Sequence, residues 1–422
     1  MIAQHGNHLH FPSHSIMIFF HVVLLYFFSS LFFPQRTLLL IIPFLYLMVY
    51  FLHDNPFLRA LLAWVAVIIL LFGMASSSLH QRDMGLSQAN TSDALIIMES
   101  AGQLFLDGKN PYAETYFGTE LQKIDDLNEE RVYWKKLGLD HNPAMYHFVY
   151  PPGAFLIPAA FMGIVGPVDL RMLFLPFELL SLILLFVFIR NWELKILATL
   201  VVCALYVFGG LYIGVMDIFL ISLAVIALIL MQRNHHLTAA LMLGVVGTIK
   251  QNVWMLLLLV LIWAYWQKKL KTYLVAPLIV GVVILAFFLW NPPAFVDDSI
   301  SFFAGSTEYA YPINFEQGGF PYILRSIGFS REHVLTFPYF LVQALVLIPL
   351  LWYFGRKLKH ANEPHHVYVY AGVLLYGLFL FYKFPHFNYF NFAITLFAIG
   401  FLFILDQHIP SSSAVKQPTK ID

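Results

Sequence analysis

Charge and cysteine are what this sequence has least of, and each shortage narrows what the chain can be. Its 422 residues include a single cysteine, Cys203, set inside an apolar run. That excludes an internal disulfide framework and any site built from several thiolates. Asp, Glu, Lys and Arg together make up 11% of the chain against 60% hydrophobic residues, and mean hydropathy is +0.74. A water-soluble domain needs more polar surface, so the composition is that of a polytopic membrane protein. Acidic and basic residues balance at 24 each, so net charge points to no nucleic-acid partner and only the placement of charges informs. Lys and Arg are also missing from residues 1–14, which carry His5, His8, His10 and His14 instead. A secretory leader has a basic start, so the first apolar run is read as a retained span. The histidines are expected on the inner side and carry no metal assignment.

What the chain has in abundance is apolar runs. They lie near 15–33, 37–52, 57–79, 168–190, 195–212, 215–232, 237–266, 272–290, 334–354, 366–382 and 388–405. The fold expected is an all-α polytopic membrane bundle of roughly 11–12 transmembrane helices. Lys and Arg near span ends set the orientation. Arg59, Arg190, Lys195, Arg233, the cluster Lys268, Lys269 and Lys271, and the cluster Arg356, Lys357 and Lys359 all fall on the cytoplasmic side of one consistent path. Arg36 alone falls on the other side.

Two segments are not plain spans. Residues 152–166 are apolar but short, and counting them as a crossing would reverse the later basic clusters. They are expected to form a re-entrant or juxtamembrane helix at the outer surface. The run 237–266 has basic residues at both ends and is too long for one crossing. It is expected to be a hairpin of two short helices with its tip at Thr248-Ile249-Lys250-Gln251-Asn252, facing a wet outer cavity where non-helical backbone is tolerated. The chain then divides into an N-terminal transmembrane hairpin (1–56), a module carrying the first large outer loop 80–167 (57–271), a C-terminal transmembrane region with a second outer loop 291–333 (272–408), and a disordered cytoplasmic tail (409–422).

The first outer loop holds the one long water-compatible stretch, Ser92 to Gly153. Ser92 or Asp93 is suited to cap a helix, because a short oxygen-bearing side chain accepts from the free N–H groups of the first turn. Apolar residues then recur at Leu95, Met98, Gly102 and Phe105, a helical stripe. Gly108 ends that helix and Pro111 prevents its restart. Two readings of Asp93 stand side by side: a mere cap, or a carboxylate poised at the membrane surface to act on a lipid-borne substrate.

Asp93, Ala101-Gly102, Gly108-Lys109-Asn110-Pro111-Tyr112 and Tyr150-Pro151-Pro152 together resemble the first-loop signature of the polyprenyl-phosphate-dependent GT-C glycosyltransferases. Within that group the chain looks most like glycosyltransferase family 87 (GT87), which contains mycobacterial α-1,2-mannosyltransferases. Gly214-Val215-Met216-Asp217 stands where that family usually shows Gly-Gln-x-Asn, followed by basic Arg233, the small-residue helix from Ala240 to Gly244, and Lys250. The resemblance covers about Ser92 to Lys271. Met216 and Asp217 depart from the usual types, and the segment 114–147 is a long charged insertion.

The resemblance implies an inverting transferase on the extracytoplasmic side of a plasma (inner) membrane. It would move a monosaccharide, mannose by family analogy, from a polyprenyl-phosphate donor to a glycan or lipid acceptor. Asp93 would be the general base that takes the acceptor hydroxyl proton. The leaving phosphate needs cations or N–H donors, because negative charge develops there. Lys250 is the first candidate, since an ionisable residue at membrane depth needs a partner; snorkelling to the interface is the plain alternative. His386 and Arg325 are further phosphate candidates, with a structural histidine and a solvated loop arginine as the plain readings. Tyr112, Tyr150, Asp217, Gln251, Asn252 and Asn388 are candidates for holding substrate; Gln251 and Asn252 are equally suited to capping the second half of the hairpin. Asp217 could help position donor, acceptor or a divalent cation, or be an ordinary loop-end residue; alone it makes a poor metal site, because hard cations want several oxygen ligands, so a divalent metal is possible but unsupported and the donor lipid is the one further group called for. Glu178, inside a span, should pair with a polar group of another helix. The 42 phenylalanines suit lipid-facing packing as well as a sugar cleft. A lipid transporter is the competing class, but paired halves with matching broken helices would be its mark, and only the hairpin 237–266 shows one. A membrane scaffold would leave the loop motifs without purpose.

Overall fold

The computed structural model describes residues 55–83, 91–126, 132, 134–136, 138–203, 214–304, 306, 307, 309, 319–384 and 386–408. The expected spans 15–33 and 37–52, the outer end of the run 195–212 and the tail 409–422 lie outside the described residues. The described chain is all-α, with no strand among those residues. Five helices are long and apolar enough to cross a membrane, and several shorter apolar ones pack among them.

The principal helices are α1 (Pro56–Asp83), α2 (Asp93–Leu106), α3 (Gly153–Val165), α4 (Arg171–Phe188), α5 (Trp192–Cys203) and α6 (Asp217–Gln232). Then come α7 (His236–Gly247), α8 (Trp254–Trp266), α9 (Val275–Trp290), α10 (Tyr339–Leu358), α11 (His365–Leu380) and α12 (Phe387–His408). At the centre stands α6, buried on every face from Asp217 to Ile229. A helix apolar all round belongs in the middle of a bundle. Its two polar intruders are both matched. Ser222 Oγ donates to Glu178 of α4, as expected of a carboxyl within a span, and Asp217 belongs to the site described below. Tyr368 of α11 ties in by donating its hydroxyl to Ala224 O at 2.6 Å.

Small residues let α11 and α12 approach closely. A Cβ added at Gly372 would lie 2.6 Å from Ala393 O, and one at Gly400 would lie 2.7 Å from His365 O. Such small-residue seams are how helices associate where lipid removes the hydrophobic drive.

One end of the bundle collects the basic residues. Arg233 lies over the Phe188 ring, and Asp406 accepts from Arg190 N and Asn191 N. Lys359 lies over Trp266, and Trp263 Nε1 donates to Ala361 O. His236, which opens α7, meets Tyr273 just beyond α8 at 3.0 Å. The start of α7 therefore lies beside the end of α8, and Gly247 at the far end of α7 sits against Leu257. The segment is a hairpin, as its charge pattern demands.

The parity argument about residues 152–166 also holds. Arg82, at the end of α1, is clamped by Glu99 of α2, by Glu120, and by Asp169 at the foot of α4, each at 2.6 Å. The end of α1 and the start of α4 thus meet, and everything between returns to the end of the bundle it left. With 13 residues, α3 is about 20 Å long, too short to cross. It lies instead across α2, where Gly102 leaves room for Pro158, Ala159 and Met162.

Candidate functional site

At the end opposite the basic residues, the openings of α2, α6 and α12 meet the tip of the α7–α8 hairpin. Each is shaped by local sequence. Ser92 is the cap of α2, its side chain accepting from Ala94 N at 3.2 Å. That frees Asp93, in the first turn, for other contacts. Its Oδ1 takes Ala94 N–H at 2.7 Å, and its Oδ2 receives the Asn142 amide at 3.1 Å. Asn142 is buried within the charged insertion, and its own oxygen takes Ala144 N–H. Gly108 ends the helical stretch with φ +77°, as the Gly and Pro pattern requires.

The hairpin tip is held by the Pro151-Pro152-Gly153 corner. Gly153 N donates to Thr248 O at 2.8 Å. A Cβ on Gly153 would fall 2.1 Å from Thr248 Oγ1, so only glycine allows this approach. Gln251 Nε2 adds a bond to Val149 O at 2.8 Å. Neither Gln251 nor Asn252 caps the second half-helix, which opens without a side-chain cap. Asn252 Nδ2 is buried without a partner among the described residues. An orphaned buried donor costs on the order of 1–3 kcal/mol, a penalty that a ligand oxygen would remove.

Lys250, extended between the half-helices, reaches α6. Its Nζ lies 2.9 Å from both oxygens of Asp217, and both residues are 4% exposed. Asn388 of α12 donates to Asp217 Oδ2 at 2.7 Å, and the Tyr389 ring sits 4.9 Å from Nζ. The partner that a buried lysine needs is thus Asp217, a pairing invisible in the sequence because the two stand 33 positions apart, one opening α6 and the other at the hairpin tip.

His386 completes the group. Burial lowers its pKa below the usual histidine range. The positive charge of Lys250 adds to that shift, while Asp93 and Asp217 oppose it. Burial raises the Tyr150 hydroxyl above the usual tyrosine range, reinforced by Asp93 and Asp217. Asp93, Tyr150, Asp217, Lys250, His386 and Asn388 therefore share one electrostatic neighbourhood. Tyr112 serves differently. Its hydroxyl donates to Tyr150 O at 2.7 Å and its ring packs on Phe148, Phe155 and Phe295, so it positions Tyr150. Arg325 is exposed and caps its own short helix by donating to Phe329 O at 2.8 Å. Asn142, Tyr389 and Thr248 join the neighbourhood without a local motif to announce them.

A buried carboxylate–lysine pair, a second oriented carboxylate and a buried imidazole gather at one end of a helical bundle, the candidate site of an integral membrane protein. A model of glycosyltransferase family 87 matches residues 148–381. That is more than half of the chain, and the chain belongs to this family. It is accordingly a glycosyltransferase, and the transporter reading is not favoured. The match includes Tyr150, Asp217, Lys250, Gln251 and Asn252, whereas Asp93 precedes it and His386 and Asn388 follow it. No curated protein and no solved structure was found to match.

Proposed function

We propose that this protein transfers a monosaccharide from a polyprenyl-phosphate donor to a hydroxyl of a glycan or glycolipid on the extracytoplasmic side of the membrane, with Asp93 as general base. The observation that carries the reading is the convergence of Asp93 with the Asp217–Lys250–Asn388 group at the end of the bundle remote from the basic residues. Basic residues favour the cytoplasmic side, which supports a site on the outer side, at the depth where a lipid-borne phosphate would emerge.

The roles follow from donor and acceptor chemistry. The acceptor oxygen attacks the anomeric carbon as its proton passes to Asp93, and the carbon–phosphate-oxygen bond breaks on the opposite face. Asn142 holds the carboxylate in orientation from behind. Lys250 has three N–H donors. Two are directed at the Asp217 oxygens, which leaves one for a phosphate oxygen. Neutral His386 and Asn252 Nδ2 supply further donors where the negative charge of the leaving group develops. Asp217 and Asn388 hold the ammonium in place, and mannose is the sugar that the family resemblance suggests.

Membranes carrying wild type, Asp93→Asn or Asn142→Ala, supplied with a panel of radiolabelled polyprenyl-phosphate monosaccharides, test this. Wild type should label product from one donor. Asp93→Asn should lower transfer by about 10²–10⁴-fold, the usual worth of a positioned base, at unchanged protein level, and Asn142→Ala should lower it less. Undiminished transfer by Asp93→Asn would overturn the assignment.

A further inference from the structure

The two outer segments meet at a point apart from the reaction centre. His147, from the first loop, is 6% exposed, and its Nδ1 lies 2.7 Å from Asp298 Oδ1 and 3.7 Å from Asp297 Oδ2. The three donor atoms lie within 4.8 Å of one another. Asp298 is buried and Asp297 half-exposed, so the group is closed on one side and open to water on the other.

The polar atoms here are left over rather than matched. One imidazole faces two carboxylates, and a single ring proton on Nδ1 can serve only Asp298. Asp297 is beyond hydrogen-bonding distance yet still close. His147 Nε2, behind the ring, is buried without a partner among the described residues. Two adjacent carboxylates, one of them withdrawn from water, thus converge on a single imidazole.

We infer that His147, Asp297 and Asp298 bind a divalent cation of the Zn²⁺ or Mn²⁺ type, which clasps the first outer loop to the second. One imidazole nitrogen and two carboxylate oxygens form a borderline-to-hard ligand set, suited to these ions and unsuited to Cu(I). Ions of this kind hold such ligands at about 2.0–2.2 Å, so bound donor atoms stand about 3–4 Å apart. The observed 2.7 and 3.7 Å lie near that spacing. Asp298 is already oriented, because its second oxygen takes Phe148 N–H at 2.8 Å; outer-shell bonds of this kind fix metal ligands. The open side at Asp297 leaves room for water to complete the coordination. The ion is a clasp, not a reactant: His147 stands between Asn142, which holds Asp93, and Tyr150. Fixing it fixes the segment that lies over the reaction centre.

The test is metal content, which needs neither donor nor acceptor. Full-length protein in nanodiscs is incubated with Zn²⁺ or Mn²⁺, freed of excess ion and measured by mass spectrometry, alongside Asp297→Asn and His147→Gln. About one equivalent in wild type, lost in both variants, with a melting temperature that rises on adding the ion to wild type only, is expected. Asp297→Asn keeps the test decisive if His147→Gln fails to fold, because Asp297 is half-exposed and makes no close bond. Wild type without bound ion, or equal binding by wild type and Asp297→Asn, would refute the site. Either result leaves the Asp93 assignment standing, which the transfer assay judges alone.

Discussion

The Asp217–Lys250 pair gives the sharpest test of how the centre is held. Both residues are 4% exposed, and the ammonium meets both carboxylate oxygens at 2.9 Å. Removing one member of such a pair leaves an unmatched buried charge, at a cost of about 3–5 kcal/mol. Lys250→Met strands Asp217 with only the Asn388 amide and belongs at the upper end. Asp217→Asn keeps one oxygen near Lys250, with the Tyr389 ring still at 4.9 Å, and belongs at the lower end. Each single variant should therefore melt roughly 5–10 °C below wild type, read by intrinsic fluorescence in nanodiscs. The double variant carries no buried charge and should lose no more than the worse single variant, a coupling of roughly 3 kcal/mol. On the proposed reading transfer should be absent in the double variant, which has no lysine to meet the donor phosphate. Single variants that melt with wild type, or a double variant that loses the sum of the two, would refute the buried pair. Transfer restored in the double variant would reduce Lys250 to a structural part.

Two further outcomes follow from the same geometry. Gly153→Ala places a Cβ 2.1 Å from Thr248 Oγ1 and should push the hairpin tip off the corner; transfer should fall at least about tenfold, on the scale by which small misplacements cost catalysis, and normal transfer would show the corner to be soft. His386 has a folded pKa held down by burial, so the unfolded state binds its proton first. Stability should be flat above the unfolded value of about 6.5 and should decline as pH falls through it. Melting curves between pH 7.5 and 5.5 should show a shallower decline for His386→Asn than for wild type, and equal slopes would contradict the shift.

The fold was legible wherever it depends on pattern along the chain. The stripe Leu95, Met98, Gly102 and the punctuation Ser92 and Gly108 define α2 by local geometry alone. Lys and Arg near span ends, a one-dimensional signal, sufficed to find the hairpin 237–266 and to keep 152–166 on one side. The centre was legible only in its members. That Lys250 needs a partner follows from depth. That the partner is Asp217, bolstered by Asn388, depends on how three helices pack, and no periodicity encodes it. Tyr112 shows what a motif leaves out: in the fold its ring fills an aromatic cluster and its hydroxyl holds a backbone carbonyl, which no spacing in the sequence indicates. Asn142 and Arg82 went unread because each acts through partners distant in sequence.

The distribution of the centre along the chain bears on how the protein is made. Asp93 stands on an early helix, Lys250 near the middle, and Asn388 and Tyr389 on α12, the last described helix. Translation delivers these parts in that order. The carboxylate arrives long before the ammonium, and the ammonium before the helix that steadies its partner. A chain halted before α12 would have inserted most of its spans and still lack the grip on Asp217. On the proposed reading, competence to transfer sugar is coupled to completed membrane insertion, and truncated forms should persist as inert membrane proteins, not as unregulated enzymes.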